Sequence, residues 1–222
     1  MKIAGFQKSS FVDFPKIMSC VVFTPGCNMR CDYCHNKHIL YGDVPKVDEL
    51  TVLDYLNKRK GFLKGVVISG GEPTLQPDLE SFVKTVKAMG FKVKLDTNGT
   101  NPDILKGLCK KGYIDYVAMD LKAPIDRYSE LCRTEIDTEK VLESIEYLKK
   151  SGISYEFRTT YYPELQKSDI IRISTELAED SDYYLQQYRQ IENCPAPHPS
   201  SYVEETANAV IENGGKCVVR GL

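Results

Sequence analysis

The stretch Ile17–Asn36, IMSCVVFTPGCNMRCDYCHN, sets the pattern from which the rest of the chain can be interpreted. Its first part, Ile17–Phe23, is an apolar run with the length of a buried β-strand. The tripeptide Thr24-Pro25-Gly26 that follows is a turn signal, because proline and glycine interrupt regular structure. The cysteine-containing loop is therefore predicted to lie at the carboxyl end of a strand.

The same order of strand and helix recurs along the chain. Further strands are predicted at Gly65–Ser69, Phe91–Asp96, Ile114–Leu121, Ile153–Tyr161, Tyr183–Arg189 and Lys216–Arg220. Helices are predicted to begin at the capping residues Thr51, Asn101 and Ser168, with others at 79–89, 141–151 and 202–213. This alternation favours parallel strands covered by helices. Roughly six βα units are too few for a complete (β/α)8 barrel, which leaves a partial barrel or an open doubly wound sheet.

Length and composition indicate one globular domain. The 222 residues are predicted to form a single domain, 1–222, with a core at about 17–190 and a C-terminal helix and short strand at 191–222. The formal net charge is −2, and lysine and arginine are scattered along the sequence, so neither nucleic acid nor a membrane surface is an expected partner. No membrane-spanning run or signal peptide is visible, which predicts a cytoplasmic protein with reduced thiols.

Three cysteines in the first loop form a candidate metal centre. Cys27, Cys31 and Cys34 lie close enough in sequence for their sulfurs to face one small volume, and thiolates suit soft metals and iron–sulfur clusters. Three ligands on a four-iron cubane leave one iron open for a further group. Two other interpretations use the same residues: a zinc site completed by His35 or His38, and the C-x-x-C-H pattern of haem attachment.

The spacing Cys-x3-Cys-x2-Cys, with the aromatic Tyr33 directly before the third cysteine, resembles the cluster motif of the radical S-adenosylmethionine (SAM) superfamily. The resemblance implies an α/β fold of the partial (β/α)6 barrel type. It also implies two cofactors, a [4Fe–4S] cluster held by the three cysteines and a SAM molecule bound beside it.

Polar segments follow several other predicted strands. In isolation each could be a turn or a solvated charge pair, but strand ends that share one rim favour a common pocket. The resemblance implies that Gly70, Gly71 and Glu72 receive the methionyl amino group of SAM and that Lys122 meets its carboxylate. It further implies cofactor contacts for a group of residues on later strands and on the cluster loop: Tyr33, Asp96, Thr97, Asn98, Asp120 and Arg158. Asp96 and Asp120 would help to organise the ribose or a bound cation.

Additional segments resemble the activases of glycyl-radical enzymes. Three of them are Phe11–Pro15, Asp96–Gly99 and Met119–Lys122. Over nearly the whole chain, including Tyr184–Arg189, the sequence most resembles the activases of anaerobic (class III) ribonucleotide reductases. The resemblance implies that SAM is cleaved reductively to a 5′-deoxyadenosyl radical, which takes a hydrogen atom from a glycine of the partner enzyme. It also implies a flavodoxin or ferredoxin-type electron donor.

Three alternatives remain open from the sequence. One is a small-molecule enzyme resembling 7-carboxy-7-deazaguanine synthase, and another is an activase of a pyruvate formate-lyase-like enzyme. The latter group carries a histidine where this chain aligns Arg189. The third is a non-enzymatic zinc-binding adaptor. The other cysteines, which are far apart in sequence, are predicted to be mostly buried thiols: Cys20, Cys109, Cys132, Cys194 and Cys217.

Overall fold

A computed structural model describes residues 1–40 and 46–222. The chain divides into two compact units. The first comprises Met1–Asn28, Asn36–Thr97 and Asn101–Val117, and the second comprises Met29–His35, Asn98–Thr100 and Ala118–Leu222. Strand β5, Tyr116–Asp120, crosses the boundary between them in sequence. No helix within the described residues is long and apolar enough to cross a membrane.

The first unit contains a four-stranded segment of sheet in the order β1-β2-β3-β4. Its strands are β1, Gly5–Ser10; β2, Ser19–Thr24; β3, Gly65–Gly70; and β4, Lys92–Thr97. Its helices are α1, Lys37–Leu40; α2, Glu49–Lys58; α3, Leu79–Ala88; and α4, Pro102–Lys110. Strands β2, β3 and β4 are parallel, as the alternation predicted, whereas β1 pairs antiparallel with β2.

Apolar side chains explain why these elements form. Val21 on β2 lies opposite Val67 on β3, and both pack with Phe14 in a buried cluster. Helix α3 buries four side chains at helical spacing: Leu79, Phe82, Val83 and Val86. Because β2, β3 and β4 are parallel, their carboxyl ends lie at one edge, where the polar segments predicted from the sequence follow them.

The second unit contains the parallel strands β6, β7 and β8 in that order. They span Ser154–Tyr161, Tyr183–Gln187 and Val218–Arg220. The helices are α5, Tyr128–Cys132; α6, Thr138–Ser151; α7, Lys167–Arg172; and α8, Ser200–Glu212. After β5, the Leu121 amide donates to the Arg158 carbonyl at 2.9 Å, which places the residues following β5 beside β6.

Several predicted boundaries were wrong. Helix α2 begins at Glu49, because Asp48 rather than Thr51 supplies the N-cap by accepting from the Leu50 amide. The helix predicted from Ser168 to Glu179 ends as an α-helix at Arg172 and continues as a π-turn over Ile173–Leu177. Strand β1 was missed, since its sequence, GFQKSS, contains no apolar run.

Candidate active site

In the first unit, the Gly70-Gly71-Glu72 segment packs directly against the residues that precede Cys27. The Gly71 amide donates to the Thr24 carbonyl at 2.9 Å, and the Glu72 amide donates to the Gly26 carbonyl at 2.8 Å. A Cβ atom on Gly71 would lie 1.9 Å from the Gly26 oxygen, so only glycine fits there. The end of β3 therefore fixes the backbone from which the first predicted ligand, Cys27, projects.

Glu72 is buried and its carboxylate is held by two threonines. Its Oε1 atom accepts hydrogen bonds from the Thr74 amide at 3.1 Å, the Thr74 hydroxyl at 2.6 Å and the Thr97 hydroxyl at 2.8 Å. Asn101 in turn donates to the Thr74 hydroxyl oxygen at 2.8 Å. Three donors to one oxygen favour the ionised carboxylate in a single orientation, as a site for a cationic amine requires. Thr97, which was predicted to contact the cofactor, helps to orient the Glu72 carboxylate through this hydrogen bond.

The resemblance implies that Glu72 receives the methionyl amine of SAM, and on that assignment removal of the Thr74 hydroxyl should weaken SAM binding. Thr74→Val is expected to raise the KM for SAM roughly tenfold with a smaller effect on kcat, because one hydrogen bond to a buried carboxylate is lost. Thr74→Ser keeps the hydroxyl and is the matched control. The measurement is the SAM dependence of 5′-deoxyadenosine release, together with urea unfolding of each variant. An equal rise in KM for the serine variant would show that Thr74 acts only through packing.

Asp96 is fixed from two sides at the end of β4. Ser69 donates to its Oδ2 atom at 3.0 Å, and Lys94 approaches its Oδ1 atom at 2.5 Å. Only 2% of Lys94 is exposed, so this is a buried ion pair whose partners both lie on one strand face. The predictions did not include Lys94. Its position two residues before Asp96 on a predicted strand was the signal that could have found it.

The other predicted ligands, Cys31 and Cys34, lie on Met29–His35, which belongs to the second unit. The Arg30 amide donates to the Cys132 carbonyl at 2.9 Å, and Arg133 pairs with Asp32 at 2.6 Å. The Tyr33 ring stacks on Tyr162 with a centroid separation of 4.8 Å. The aromatic residue of the motif therefore anchors the cluster loop to the segment after β6.

Asp120, Lys122 and Arg158 form a compact charged cluster in the second unit. Lys122 lies 3.0 Å from Asp120 Oδ2, and Arg158 bonds to Oδ1 of the same carboxylate. Burial alone would raise the pKa of Asp120, but Arg158 and Lys122 hold it well below its ordinary value. Burial would lower the pKa of Lys122, but Asp120, Tyr33 and Cys31 raise it well above its usual range. Lys122 is therefore a protonated amine held beside an ionised carboxylate, and a positioned ammonium of this kind can pair with a carboxylate of a ligand.

Cys31 differs from the thiols of the core. A hydrogen bond from Cys132 lowers the pKa of Cys31 to about 6, assisted by Lys122 and opposed by burial. Burial raises the pKa of Cys20 to about 12 and that of Cys217 to about 11. Metal ligands must be deprotonated, so the thiolate character of Cys31 fits an iron–sulfur ligand. Cys132, predicted to be a plain buried thiol, contributes to this environment, and no local sequence signal indicates that role.

The remaining predicted residues have local roles in the structure. The Asn98 side chain accepts from the Thr100 amide at 3.1 Å and from its hydroxyl at 2.7 Å, which forms a tight turn after β4. Gly99 in this turn has φ of 78°, and a Cβ atom there would collide with Met119. Arg189 lies close enough to His35 to help burial lower the pKa of that histidine.

Among residues 1–40 and 46–222, no three His, Cys, Asp or Glu side chains surround a position for one metal ion. The cysteines of a cubane each bind a different iron, so they need not close around one point. The donor chemistry of the three cysteines thus fits the cluster.

Comparison with known proteins places this fold and these residues in a family. The model of the radical SAM superfamily matches residues 21–177. A Methanocaldococcus jannaschii protein assigned as a glycyl-radical enzyme activating enzyme is 38% identical over 84% of this chain and 79% of its own length. The pyruvate formate-lyase-activating enzyme of Clostridium pasteurianum is 33% identical over 54% of this chain and 52% of its own. The 7-carboxy-7-deazaguanine synthase of Neisseria meningitidis is 35% identical over 44% of this chain and 40% of its own length.

Solved structures confirm the predicted fold. QueE of Escherichia coli covers 100% of this chain and 94% of its own length, at a TM-score of 0.60 and 15% identity. SuiB of Streptococcus suis bound to S-adenosylmethionine covers 90% of this chain and 52% of its own, at a TM-score of 0.65 and 15% identity. The chain belongs to the radical SAM superfamily and has its partial-barrel α/β fold. It is a radical SAM enzyme, and the cofactors of this family are a [4Fe–4S] cluster and SAM.

Proposed function

We propose that this chain generates a glycyl radical on a partner enzyme, and that the partner is an anaerobic ribonucleoside-triphosphate reductase. The observation that carries the proposal is the 38% identity, over 84% of the chain, to a protein assigned as a glycyl-radical enzyme activating enzyme. The finer choice of partner is supported by the segment Tyr184–Arg189, in which Arg189 aligns with a histidine of the pyruvate formate-lyase activases. The reaction would take place in the cytoplasm with a flavodoxin or ferredoxin-type protein as electron donor.

Different residues of the chain would bind the cluster and SAM. Cys27, Cys31 and Cys34 would hold the cluster, and the protonated amine of Lys122 would bind the methionyl carboxylate of SAM. When bound, the reduced cluster and SAM supply the 5′-deoxyadenosyl radical that takes a hydrogen atom from glycine. Glu72, fixed by its threonine donors, would accept from the methionyl amine. Because Glu72 is buried and pre-oriented, it can orient SAM without reorganising.

Electron paramagnetic resonance tests the proposal directly. The reconstituted chain is mixed anaerobically with SAM, a reductant and an anaerobic ribonucleotide reductase, and the spectrum is searched for a glycyl radical. We expect a doublet that is absent when the acceptor glycine of the reductase is replaced by alanine. A pyruvate formate-lyase serves as the second acceptor. A radical on the lyase alone would replace the proposed partner, and SAM cleavage with no radical on either protein would contradict the activase function.

A second candidate is a small-molecule enzyme of the 7-carboxy-7-deazaguanine synthase type. The observation that favours it is the 35% identity over 98 residues to such a synthase. This function needs no protein acceptor. Formation of 7-carboxy-7-deazaguanine by the purified chain, without any partner protein, would therefore establish it in place of the activase.

A further inference from the structure

A group of exposed basic and apolar side chains lies in the first unit, at the amino end of β2. This basic–aromatic surface consists of Lys8, Phe11, Val12, Arg59, Lys60 and Phe62. The exposed fractions of Phe11, Val12 and Phe62 are 75%, 86% and 60%. Two large apolar residues nearby in sequence, Phe14 and Leu63, are by contrast buried in the core. The turn after β1 and the loop after α2 thus each bury one large apolar residue and expose another.

Contacts made through α2 and β2 place the two loops at the same end of β2. Tyr55 on α2 donates to the Lys8 carbonyl at 3.0 Å. The Arg59 guanidinium lies 5.5 Å from the centroid of the Tyr55 ring and 5.8 Å from that of Phe62. The sheet joins the same region from the other side, because Ser10 pairs with Ser19 and the Lys64 amide donates to the Met18 carbonyl at 3.0 Å. Residues distant in sequence therefore form one surface, although the basic residues look scattered along the chain.

Ion pairing does not account for the basic residues of this surface. Lys8, Arg59 and Lys60 form no ion pair within the part of the chain that the structure describes. A helix C-terminus favours cations such as Arg59 and Lys60, but it does not favour exposed phenylalanine. Large apolar side chains grouped on a surface and flanked by charge are typical of a binding site. Aromatic and arginine side chains are also the residues that most often dominate binding energy.

Its position separates this surface from the cofactor residues. It lies at the Ser19 end of β2, whereas Cys27 follows the Thr24 end. At about 3.3 Å per residue, the strand separates the two ends by roughly 17 Å. A cofactor or small substrate held at the cysteine end would not reach it. A protein that presents a glycine to the cofactor is large enough to contact both regions.

We propose that the basic–aromatic surface docks an acidic segment carrying apolar side chains on the enzyme that receives the radical. This inference rests on the proposed function. The positive charge would attract the segment and accelerate association, and Phe11, Val12 and Phe62 would supply the apolar contacts. The docking site would thereby select the partner at a distance from the reacting glycine.

Two double variants test the inference. Arg59→Glu/Lys60→Glu reverses the charge, and Phe11→Ser/Val12→Ser removes exposed apolar contacts. The control is Lys84→Glu/Lys110→Glu, a charge reversal at exposed positions on α3 and α4. We expect the KM for the reductase to rise roughly tenfold in each surface variant, with uncoupled SAM cleavage unchanged. A KM equal to that of the control variant would overturn the inference.

A second probe makes the result independent of the reductase. Binding of a glutamate–tyrosine copolymer is measured by fluorescence anisotropy for the wild type, the variants and the control. We expect salt-dependent binding that only the surface variants lose. If the wild type produces no glycyl radical, the proposed function fails. The copolymer assay still shows whether the basic–aromatic surface binds an acidic segment. Equal copolymer binding by all variants, or Phe11-dependent binding to phosphatidylserine vesicles alone, would contradict an acidic protein segment as the occupant.

Discussion

Cys31→Ser is expected to abolish retention of the iron–sulfur cluster and to reduce 5′-deoxyadenosine release at least about a hundredfold. Cys31 is buried, and the neighbouring Cys132 and Lys122 favour its thiolate. A serine hydroxyl in the same position does not ionise near neutral pH and is a poor ligand for iron. Cys27→Ser and Cys34→Ser should behave alike, since the cluster motif requires all three sulfurs.

The control for this prediction is Cys217→Ala. Cys217 is a buried thiol whose pKa burial raises to about 11, so it is protonated at neutral pH and its loss should leave iron content unchanged. Iron and sulfide per chain, SAM cleavage and urea unfolding are measured on all four variants. Retention of the full cluster and activity by any of the three motif variants would contradict the ligand assignment.

Lys122→Met is expected to raise the KM for SAM by about 10- to 100-fold while leaving cluster content near that of the wild type. The wild-type amine of Lys122 is protonated and can pair with the methionyl carboxylate, whereas the methionine side chain carries neither a charge nor a hydrogen-bond donor. Lys87→Met, which breaks the 2.7 Å pair of Lys87 with Asp115 elsewhere in the first unit, is the matched control.

The charge state of Lys122 adds a prediction about pH. Its pKa is raised well above the ordinary lysine value, so the amine stays protonated throughout pH 7 to 9. The KM for SAM of the wild type should therefore show no rise from loss of this charge over that range. An unchanged KM in Lys122→Met, or an equal effect in Lys87→Met, would show that Lys122 does not bind the carboxylate.

The sequence predicted the elements that carry strong local signals. Ile17–Phe23 and Gly65–Ser69 are apolar runs, and the structure places strands there within two residues of the predicted bounds. Asn101 precedes a helix that begins with Pro102, as predicted. The polar residues that follow β2, β3 and β4 were predicted to lie at one edge of the sheet, because the carboxyl ends of parallel strands meet there. The identities of the three cysteines and of Tyr33 came from spacing, which needs no knowledge of tertiary contacts.

Long-range contacts explain what the sequence did not reveal. Arg133 pairs with Asp32, a residue 101 positions away, and so holds the cluster loop. The proximity of Cys132 to Cys31 depends on the same packing. Strand β1 has a polar sequence and forms because β2 offers an edge for antiparallel pairing. The basic–aromatic surface likewise combines a turn and a loop whose residues are about fifty positions apart in sequence and which the sheet brings to one end of β2.

Anaerobic reconstitution with iron and sulfide, followed by reduction and addition of SAM, tests the central claim most directly. Iron content, the metal bound and the release of 5′-deoxyadenosine are measured on the same sample. The assignment of Cys27, Cys31 and Cys34 predicts about four irons per chain and SAM cleavage that depends on the reductant. A colourless protein that binds one zinc ion per chain and leaves SAM intact would contradict it.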